Sequence, residues 1–298
     1  MGSDFEITIV EKNESNANKL INIAINEISR IESLISSWNK NSQTSLINHN
    51  AGTKPVKVHK ELFEWILRSI TSSNLSQGAF DISYASLDKV WYFDKKMTEI
   101  PTDLKIKKSV SKVGFKNIIM NKKEQTVFLK LKGMKIGFGA IGKGYAADRA
   151  KEILIKNNVK SGIINASGDL TAWGHKPSGK DWMVAIVNPL NKSKVFSWLP
   201  IKNKSVVTSG NYERFVKFNG KLYSHIIDPR TGYPSEGILS VTIITENAEL
   251  ADALATSVFV LGQEIGMNMI NQLKGVDCII INRDNKIIKS ENIQINEI

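Results

Sequence analysis

Apolar side chains in the first quarter of the chain recur first with the period of a strand and then with that of a helix. Residues 4–10 alternate apolar and polar positions, which predicts a strand. Apolar positions over 15–38 and again over 59–76 follow helical spacing, and Gly78 ends the second pattern. The polar stretch 38–52 between them is typical of a loop. We therefore expect one strand and two amphipathic helices here.

The middle of the chain carries shorter patterns. Residues 100–120 fit a short helix followed by a strand. The apolar runs 124–131 and 134–138, on either side of a Lys-Gly pair, predict a hairpin. A helix is predicted over about 144–158, and 161–166 fits a strand.

The second half of the chain is richer in strand patterns. Asn219-Gly220 is a two-residue hairpin signal, and Asn247 is predicted to cap a helix over 248–261. A further helix over 264–273 and two terminal strands follow. The remaining strand patterns lie at 183–187, 205–208, 214–218, 222–227 and 239–245.

Helices and strands are mixed along the chain without regular strand–helix–strand alternation. This order predicts an α+β fold, with mixed or antiparallel sheets and flanking helices, rather than a doubly wound parallel sheet. No internal repeat and no linker-like low-complexity segment occurs. We expect residues 1–298 to form a single domain of two closely packed lobes.

Composition and charge narrow the classes of function. The 298 residues carry a net charge of +11, but the lysines are dispersed and no nucleic-acid-binding motif occurs, so no nucleic-acid partner is predicted. No apolar run is long enough to span a bilayer, and no secretory signal opens the chain, which leaves a cytosolic protein or a mature exported form. The single cysteine, Cys278, excludes an internal disulfide and a multi-cysteine metal site, and its apolar surroundings predict an inert core residue.

Polar residues are concentrated in the segment 223–234, which ends in a tight turn. This segment places His225, Asp228 and Arg230 close together along the chain. His225 is the best candidate for a general base, because the ordinary pKa of histidine lies near neutrality. The alternative is a structural histidine bonded to Asp228 or to the turn backbone.

A glycine-rich junction and a later helix supply two further candidates. Residues 137–149 contain four glycines ahead of a helix, whose free amides favour phosphate, and Lys143 adds a positive charge there. The alternative is a tight turn that packs helix on sheet. Asp252 and Thr256 lie one helical turn apart, where both can reach a hard cation such as Mg²⁺. The alternative is a surface aspartate and a threonine bonded to its own helix.

Asp81 lies between apolar neighbours just after a predicted helix end. It can accept hydrogen bonds from a ligand ring or complete a turn, and taken alone the turn is favoured. The aromatic run 91–93 that follows fits either stacking on a ligand or burial in the core.

Together these segments resemble the FAD:protein FMN transferase family, known as ApbE. They occur in the family's order over residues 1 to about 262, and the last three are the most specific. The matching segments are Met1–Ser3, Ser45–Asn48, Gly78–Ser83, Gly139–Asp148, Asn165–Asp169, Thr208–Glu213, Ser224–Pro234 and Ala251–Thr256.

The resemblance implies a fold and a reaction. The fold would be ApbE-like and related to the T-fold, with FAD in the cleft. In the Mg²⁺-dependent reaction FAD is split at its pyrophosphate, AMP leaves, and FMN is joined to a threonine or serine of a target flavoprotein, such as a redox-pump subunit. Two alternatives stay open, namely hydrolysis of FAD to FMN and AMP, and a carrier that binds FAD without turnover. Family members commonly act in the periplasm, often with a lipid anchor, which implies that location and an anchor upstream of this chain, beside the cytosolic alternative.

The resemblance also assigns roles to residues. Metal ligands would be the main-chain carbonyl of Ala140 and the side chains of Asp252 and Thr256. Catalysis would use His225 as the base on the acceptor hydroxyl, Lys143 as the phosphate clamp, and Asp228. Contacts with FAD are expected from Met1, Asp81, Lys143, Asp169, Ser209, Glu213, His225 and Arg230.

Three positions depart from the family pattern. Many relatives carry an acidic residue where this chain has Gly137, a glycine where it has Ser167, and often a proline where it has Ser86. These departures concern the flavin contacts. They change neither the helix that carries Asp252 and Thr256 nor the segment that contains His225.

Overall fold

The computed structural model of the chain describes residues 3–94, 97, 99–188, 191–210, 215–218, 221–291 and 293. The described residues contain fourteen strands and seven α-helices. Short 3₁₀ helices lie at Ile82–Ser86 and Phe115–Asn117. The helices are α1 (Glu14–Ile35), α2 (Gln43–His49), α3 (Lys60–Leu75), α4 (Asp103–Ser109), α5 (Gly142–Lys156), α6 (Ala248–Leu261) and α7 (Gln263–Asn271). The strands are β1 (Phe5–Ile9), β2 (Val56–Lys57), β3 (Ile118–Asn121), β4 (Thr126–Leu129), β5 (Gly162–Ala166), β6 (Asp169–Trp173), β7 (Trp182–Asn188), β8 (Asn191–Ile201), β9 (Ser205–Gly210), β10 (Phe215–Phe218), β11 (Lys221–Ser224), β12 (Ile238–Thr245), β13 (Asp277–Asn282) and β14 (Ile287–Lys289).

A seven-stranded antiparallel sheet forms the centre, in the order β1-β5-β6-β9-β12-β13-β14. Helices α5 and α6 pack against this sheet, and the hairpin of β7 and β8 supplies a separate apolar cluster against it. Strand β12 is buried at every position, because both of its faces are covered. The smaller sheet β2-β4-β3 and the hairpin β10–β11 lie outside this layer.

The hairpin β7–β8 has a clear apolar face. In β7, Trp182, Val184 and Ile186 are buried, whereas Met183 and Val187 are exposed. This period of two is the pattern of a strand with one face on a core. The buried side chains of this second core are Ala172, Trp182, Val184, Ile186, Leu199, Ile201, Val206, Ile244 and Ile279.

Helix α6 is almost entirely apolar, because it lies between α5 and the central sheet. A Cβ at Gly144 of α5 would lie 2.2 Å from the carbonyl oxygen of Ala248, so only glycine allows this close crossing. Asn247 occupies the position before α6, as predicted, but its side chain makes no capping bond. Instead the Asp148 carboxylate of α5 accepts from the amides of Ala248 at 3.0 Å and Glu249 at 2.9 Å.

Two predictions of local structure are wrong. The stretch 38–52 is not all loop, since it contains α2, whose first turn is capped by Ser42 accepting from the Ser45 amide at 3.0 Å. The hairpin of 124–131 with 134–138 does not form, because β4 pairs with β3. Strands β2, β6 and β8 were also not predicted.

The segment 134–138 bonds to side chains instead of to a strand. The Ser86 hydroxyl accepts from the Lys135 amide at 2.7 Å and donates to its carbonyl at 2.8 Å. The Asn48 amide group bonds the N–H and C=O of Ile136 at 2.8 and 3.0 Å. The apolar pattern of 134–138 therefore reflects burial in the core and not strand pairing. The backbone groups of this segment are bonded by side chains that are distant in the sequence.

The α+β prediction is confirmed, since helices and antiparallel sheets are interleaved along the chain. The division of a single domain into two lobes stays a prediction. Within the described ranges, no helix combines the length and the apolar character that crossing a membrane demands.

Candidate functional site

A cleft of about 800 Å³ gathers most of the polar residues that the sequence singled out. It lies among the 3₁₀ helix Ile82–Ser86, the start of α5, the end of β9, and α6. A cavity of this size is in the range that holds a cofactor-sized ligand. Its lining includes Asp81, Gly139, Ala140, Lys143, Ser209, His225, Asp252 and Thr256.

The glycine-rich junction forms one wall of the cleft. The amides of Ile141 and Gly142 bond the carbonyl of Phe138 at 3.2 and 2.7 Å, which turns the chain into α5. Lys143 lies in the first turn of α5, and its Nζ is 3.0 Å from Oδ2 of Asp169. The helix start and the lysine therefore both bring positive charge to this wall.

Asp252 is 4% exposed, although it faces the cleft from α6. Its Oδ2 accepts from the Gly144 amide at 3.4 Å, and the carboxyl group of Asp169, which is 1% exposed, lies close to it. Burial raises the pKa of Asp252 above its ordinary value, and the charge of Lys143 acts in the opposite direction. Asp252 is therefore not a surface aspartate. Thr256 lines the same cleft one turn further along.

The His225 segment reaches the cleft as a closed turn after β11. The amide of Asp228 donates to the Tyr233 carbonyl at 2.8 Å, and the amide of Gly232 donates to the Asp228 carbonyl at 2.8 Å. Trp91 Nε1 donates to the Gly232 carbonyl at 2.9 Å, and this aromatic ring is itself buried. Trp91 therefore helps to hold the turn, and Trp91 and His225 both line the cleft.

Asp228 and Arg230 bind each other within this turn. The Arg230 guanidinium donates two bonds to the Asp228 carboxylate, at 2.9 and 2.8 Å, and the Arg230 amide adds a third at 2.9 Å. The hydrogen bonds that Arg230 donates to Asp228 raise the pKa of Arg230. Neither residue lines the cleft, whereas Pro229 between them does. The pair stabilises the turn that presents His225.

Asp81 lines the cleft and also completes a turn. Its carboxylate accepts from the amides of Ser83 and Phe115, each at 2.7 Å. Burial raises the pKa of Asp81, and the hydrogen bonds from Ser83 and Phe115 oppose that rise. The first bond starts the 3₁₀ helix Ile82–Ser86.

The other predicted contacts divide into two groups. Ser209 lines the cleft at the end of β9, where β9 pairs with β12. Asp169 reaches the site through Lys143. Met1 and Glu213 lie outside the described residues.

Two aromatic residues of the cleft were missed by the sequence reasoning. Trp38 lines the mouth and is 93% exposed, and the one available signal was a tryptophan within a polar stretch. Tyr84 lines the interior beside Gly139, and no local signal distinguishes it from a core tyrosine.

A second cavity, of about 780 Å³, lies among α3, α5 and the start of α6. Several charged groups that line it are paired: Glu61 binds Arg30 of α1 at 2.7 Å and accepts from the Tyr145 hydroxyl at 2.7 Å, and Arg68 contacts Glu249 at 2.9 Å. These contacts join helices, so this cavity is a structural junction.

The sequence of this chain is similar to those of a known protein family. The family model described as the ApbE family matches residues 1–280. An FAD:protein FMN transferase of Klebsiella pneumoniae (strain 342) is 31% identical over 292 residues, which cover 97% of this chain and 89% of that protein. A protein of the same name from Treponema pallidum (strain Nichols) is 30% identical over 277 residues, which cover 88% of this chain and 76% of that protein.

Solved structures agree as well. The ApbE protein of Thermotoga maritima matches with a TM-score of 0.86 and 29% identity, covering 97% of this chain and 96% of that chain. The flavin transferase ApbE of Vibrio cholerae matches with a TM-score of 0.86 at 23% identity, covering 98% of this chain and 94% of that chain, which is a likeness of fold.

Proposed function

Because the chain belongs to the ApbE family, we propose that it is an FAD:protein FMN transferase. Its substrates would be FAD and a target flavoprotein with an acceptor threonine or serine. The observation that carries the proposal is the cleft itself, which joins a histidine, a lysine at a helix start and a buried helical carboxylate in one cavity. Those three groups match the needs of phosphoryl transfer from a dinucleotide.

The reaction balances as follows. The acceptor hydroxyl oxygen bonds to the phosphorus on the FMN side of the diphosphate, and the bond from that phosphorus to the bridging oxygen breaks. AMP leaves with the bridging oxygen, and the hydroxyl proton goes to the base. A threonine hydroxyl is a weak nucleophile until that proton is removed, so a base at the cleft is required.

We assign the base to His225, which lines the cleft and lies in a turn that the Trp91 indole holds. Lys143 and the amides at the start of α5 would bind the diphosphate oxygens, because both present positive charge to the cleft. Asp81 and Ser209 line the same cavity and would contact the flavin. Contacts from Met1, Glu213 and Arg230 and a catalytic role for Asp228 remain predictions from the family resemblance.

The residues of the cleft fit a magnesium ion. Asp252 and Thr256 offer oxygen ligands one helical turn apart, and the main-chain carbonyl of Ala140 belongs to the same wall. Asp252 and Asp169 are two adjacent buried carboxylates with Lys143 as their cationic neighbour, an arrangement that favours an added cation. Within the described ranges there is no cluster of three or more His, Cys, Asp or Glu suited to a metal, so the ligands would be a carboxylate with hydroxyl and carbonyl oxygens. When bound, Mg²⁺ would neutralise charge on the diphosphate and on the departing AMP.

The test is incubation of the purified protein with FAD, Mg²⁺ and an acceptor flavoprotein, followed by AMP release and covalent flavin on the acceptor. Flavin on the acceptor together with AMP supports the transferase. Free FMN with AMP in the absence of acceptor supports hydrolysis, and tight FAD without AMP supports a carrier.

Replacing the proposed base gives the sharpest single result. His225→Ala should lower the transfer rate by about 10²–10⁴, the usual effect of losing a general base. His175→Ala is the matched control, because His175 pairs with Asp181 at 3.0 Å and does not line the cleft. Transfer by His225→Ala at the wild-type rate would refute the assignment.

We also propose a periplasmic site of action, which the family resemblance implies, with a redox-pump subunit as a candidate acceptor. Fractionation of the native host, followed by fluorescence detection of flavinylated proteins, tests both points. Flavinylated protein confined to the cytoplasm would contradict the location.

A further inference from the structure

The hairpin of β10 and β11 adjoins the wall of the cleft. Strand β11 ends at Ser224, and the next residue, His225, lines the cleft. Strand β10 comes after β9 in the chain, and Gly210 at the end of β9 also lines the cleft. Phe215 of β10 pairs with Ser224, and paired residues of neighbouring antiparallel strands lie about 5 Å apart. This end of the hairpin is therefore next to the proposed base.

One face of the hairpin is packed and the other is exposed. Val216 and Tyr223 pair with each other on the packed face, where Val216 is buried and the Tyr223 ring stacks on Trp91 with 5.3 Å between ring centroids. Phe215 and Leu222 alternate with them along the strands and so lie on the opposite face. They are 50% and 41% exposed. The hairpin is thus seated on a residue of the cleft wall and presents two large apolar side chains to solvent.

The geometry of the transfer reaction limits where a protein acceptor can lie. FAD would occupy the cleft of about 800 Å³, so a folded flavoprotein cannot enter it and only the segment with the acceptor hydroxyl reaches His225. The residues around that hydroxyl must then rest on the surface beside His225. Leu222 precedes His225 by three residues, which is about 10 Å of extended chain. The exposed face of the hairpin is therefore within reach of a short acceptor segment.

We propose that the outer face of β10–β11, formed by Phe215, Lys217 and Leu222, is the docking face for the acceptor flavoprotein. Its occupant is an extended segment of the acceptor that places apolar side chains on Phe215 and Leu222 while its threonine or serine hydroxyl meets His225. This inference rests on the proposed function, because it requires a protein as the second substrate. Two apolar anchors suit a substrate that has to dissociate after modification, since transient contacts are small.

Steady-state kinetics with two polar substitutions test the docking face. A redox-pump subunit of the native host, produced without covalent flavin, serves as the acceptor. Phe215→Gln and Leu222→Gln should each raise the KM for this acceptor about tenfold, the effect of losing an apolar anchor of an interface. The kcat at saturating acceptor and the affinity for FAD, followed by flavin fluorescence, should stay within about twofold, because neither side chain lines the cleft.

The other hairpin, β7–β8, supplies matched controls. Trp198 is 50% exposed and Met183 is 40% exposed on its strands, and neither lines the cleft. Trp198→Gln and Met183→Gln therefore remove similar exposed apolar surface from a two-stranded hairpin elsewhere on the molecule. Their KM for the acceptor should equal that of wild type. A fall in kcat or a shifted pH profile in the β10–β11 variants would show instead that these side chains only support the His225 turn, and would overturn the docking face.

Cross-linking identifies the occupant directly. Cys278 is the one cysteine of the chain and is buried, so a cysteine introduced at position 222 can be labelled selectively with a benzophenone maleimide. Irradiation of labelled Leu222→Cys with the subunit should join the two proteins, and labelled Met183→Cys should not. Cross-links only to a second copy of this chain, only to added lipid vesicles, or equally from both positions would overturn the proposal.

The wild-type enzyme separates this proposal from the function on which it rests. If wild type releases AMP from FAD but attaches no flavin to the subunit, the transferase proposal fails and the docking face fails with it. If wild type flavinylates the subunit while Phe215→Gln and Leu222→Gln keep the wild-type KM, the docking face alone is overturned and the transferase stands.

Discussion

Single residues of the cleft differ in how directly they serve it. Lys143, Asp169 and Asp252 are linked to one another, so a substitution at any one of them changes the charge felt by the other two. Asp228 and Arg230, by contrast, are satisfied by each other and stabilise the turn behind His225. The role of a charged residue is therefore indicated better by its position relative to the cleft than by its residue type.

Trp38 is expected to bind the flavin ring. A tryptophan that is 93% exposed at the mouth of a cleft gains most by stacking on a planar ligand. Trp38→Ala should weaken FAD binding by about tenfold, measured by quenching of flavin fluorescence. Trp198→Ala is the control, because Trp198 is 50% exposed on β8 outside the cleft. Equal loss of affinity in both variants would contradict the prediction.

Ser167 is expected to be a strained position. Its φ of +51° falls in the left-handed region, in the turn between β5 and β6 that leads to Asp169. Ser167→Gly should raise the free energy of unfolding by about 0.5–1 kcal/mol in urea titrations, despite losing the exposed bond from its hydroxyl to the Asp4 carbonyl. Ser178→Gly, at an exposed turn residue outside the positive-φ region, should lower stability instead.

At the scale of elements, the crossing of α5 on α6 organises the site. Gly144 lets the helices approach, Asp148 caps α6, and Lys143 and Asp252 face the cleft from the same pair of helices. The hydrogen bond from the Gly144 amide to Asp252 then ties the start of one helix to the middle of the other. The positions of Asp252 and Thr256, the proposed metal ligands on α6, thus depend on how α6 packs against α5.

The Asp148 cap makes stability depend on pH. Burial raises the pKa of Asp148 from its ordinary value of 3.8 to about 6, although the amides of Glu249 and Ala248 act against that rise. The folded state therefore binds the proton more tightly than the unfolded chain. The stabilisation from this group is full below about pH 4 and is lost as the pH rises through about 6, an effect of at most about 3 kcal/mol.

Urea unfolding of wild type and Asp148→Asn from pH 4 to pH 8 measures this effect. The wild-type free energy of unfolding should fall relative to that of the variant as the pH rises, since asparagine does not titrate. Asp181→Asn, at a site 40% exposed beside His175, is the control. A constant difference between wild type and Asp148→Asn across this range would refute the prediction.

At the scale of the whole molecule, the central sheet is closed on both faces. The main hydrophobic core, which includes residues of α5 and α6, covers one face of the sheet. The β7–β8 hairpin covers the other face. Cys278 lies in β13 with no exposed surface, and burial raises its pKa, which confirms the prediction of a buried core thiol. Thiol reagents can reach it only when the structure opens.

Cys278 is therefore a single probe of global opening. The rate of its modification by an aromatic disulfide reagent should be slow in native conditions and rise with urea. Addition of FAD with Mg²⁺ should slow it by the factor that ligand binding predicts, about a hundredfold at a ligand concentration 100 times the Kd. Rapid modification that is insensitive to FAD would show that β13 opens locally.

Periodicity in the chain was sufficient for α1, α3, α5, α6 and the apolar strands β9 and β12, because these elements bury one face or both faces and their patterns reflect that burial directly. Motif spacing was likewise sufficient to select His225, Lys143 and Asp252 as candidates that the cleft unites. Both kinds of information are local, because they depend on residues a few positions apart.

Packing decided the rest. The cap of α6 comes from Asp148, 100 residues before the amide it binds, and the bonds of Asn48 to Ile136 span 88 residues. No local pattern encodes such partners, because hydrogen-bonding capacity is the same whichever distant group fills it. Tyr84 became part of the site, and Asp228 and Arg230 became its scaffold, only when folding placed the 3₁₀ helix against the glycine-rich junction and turned the Asp228–Arg230 pair away from the cleft.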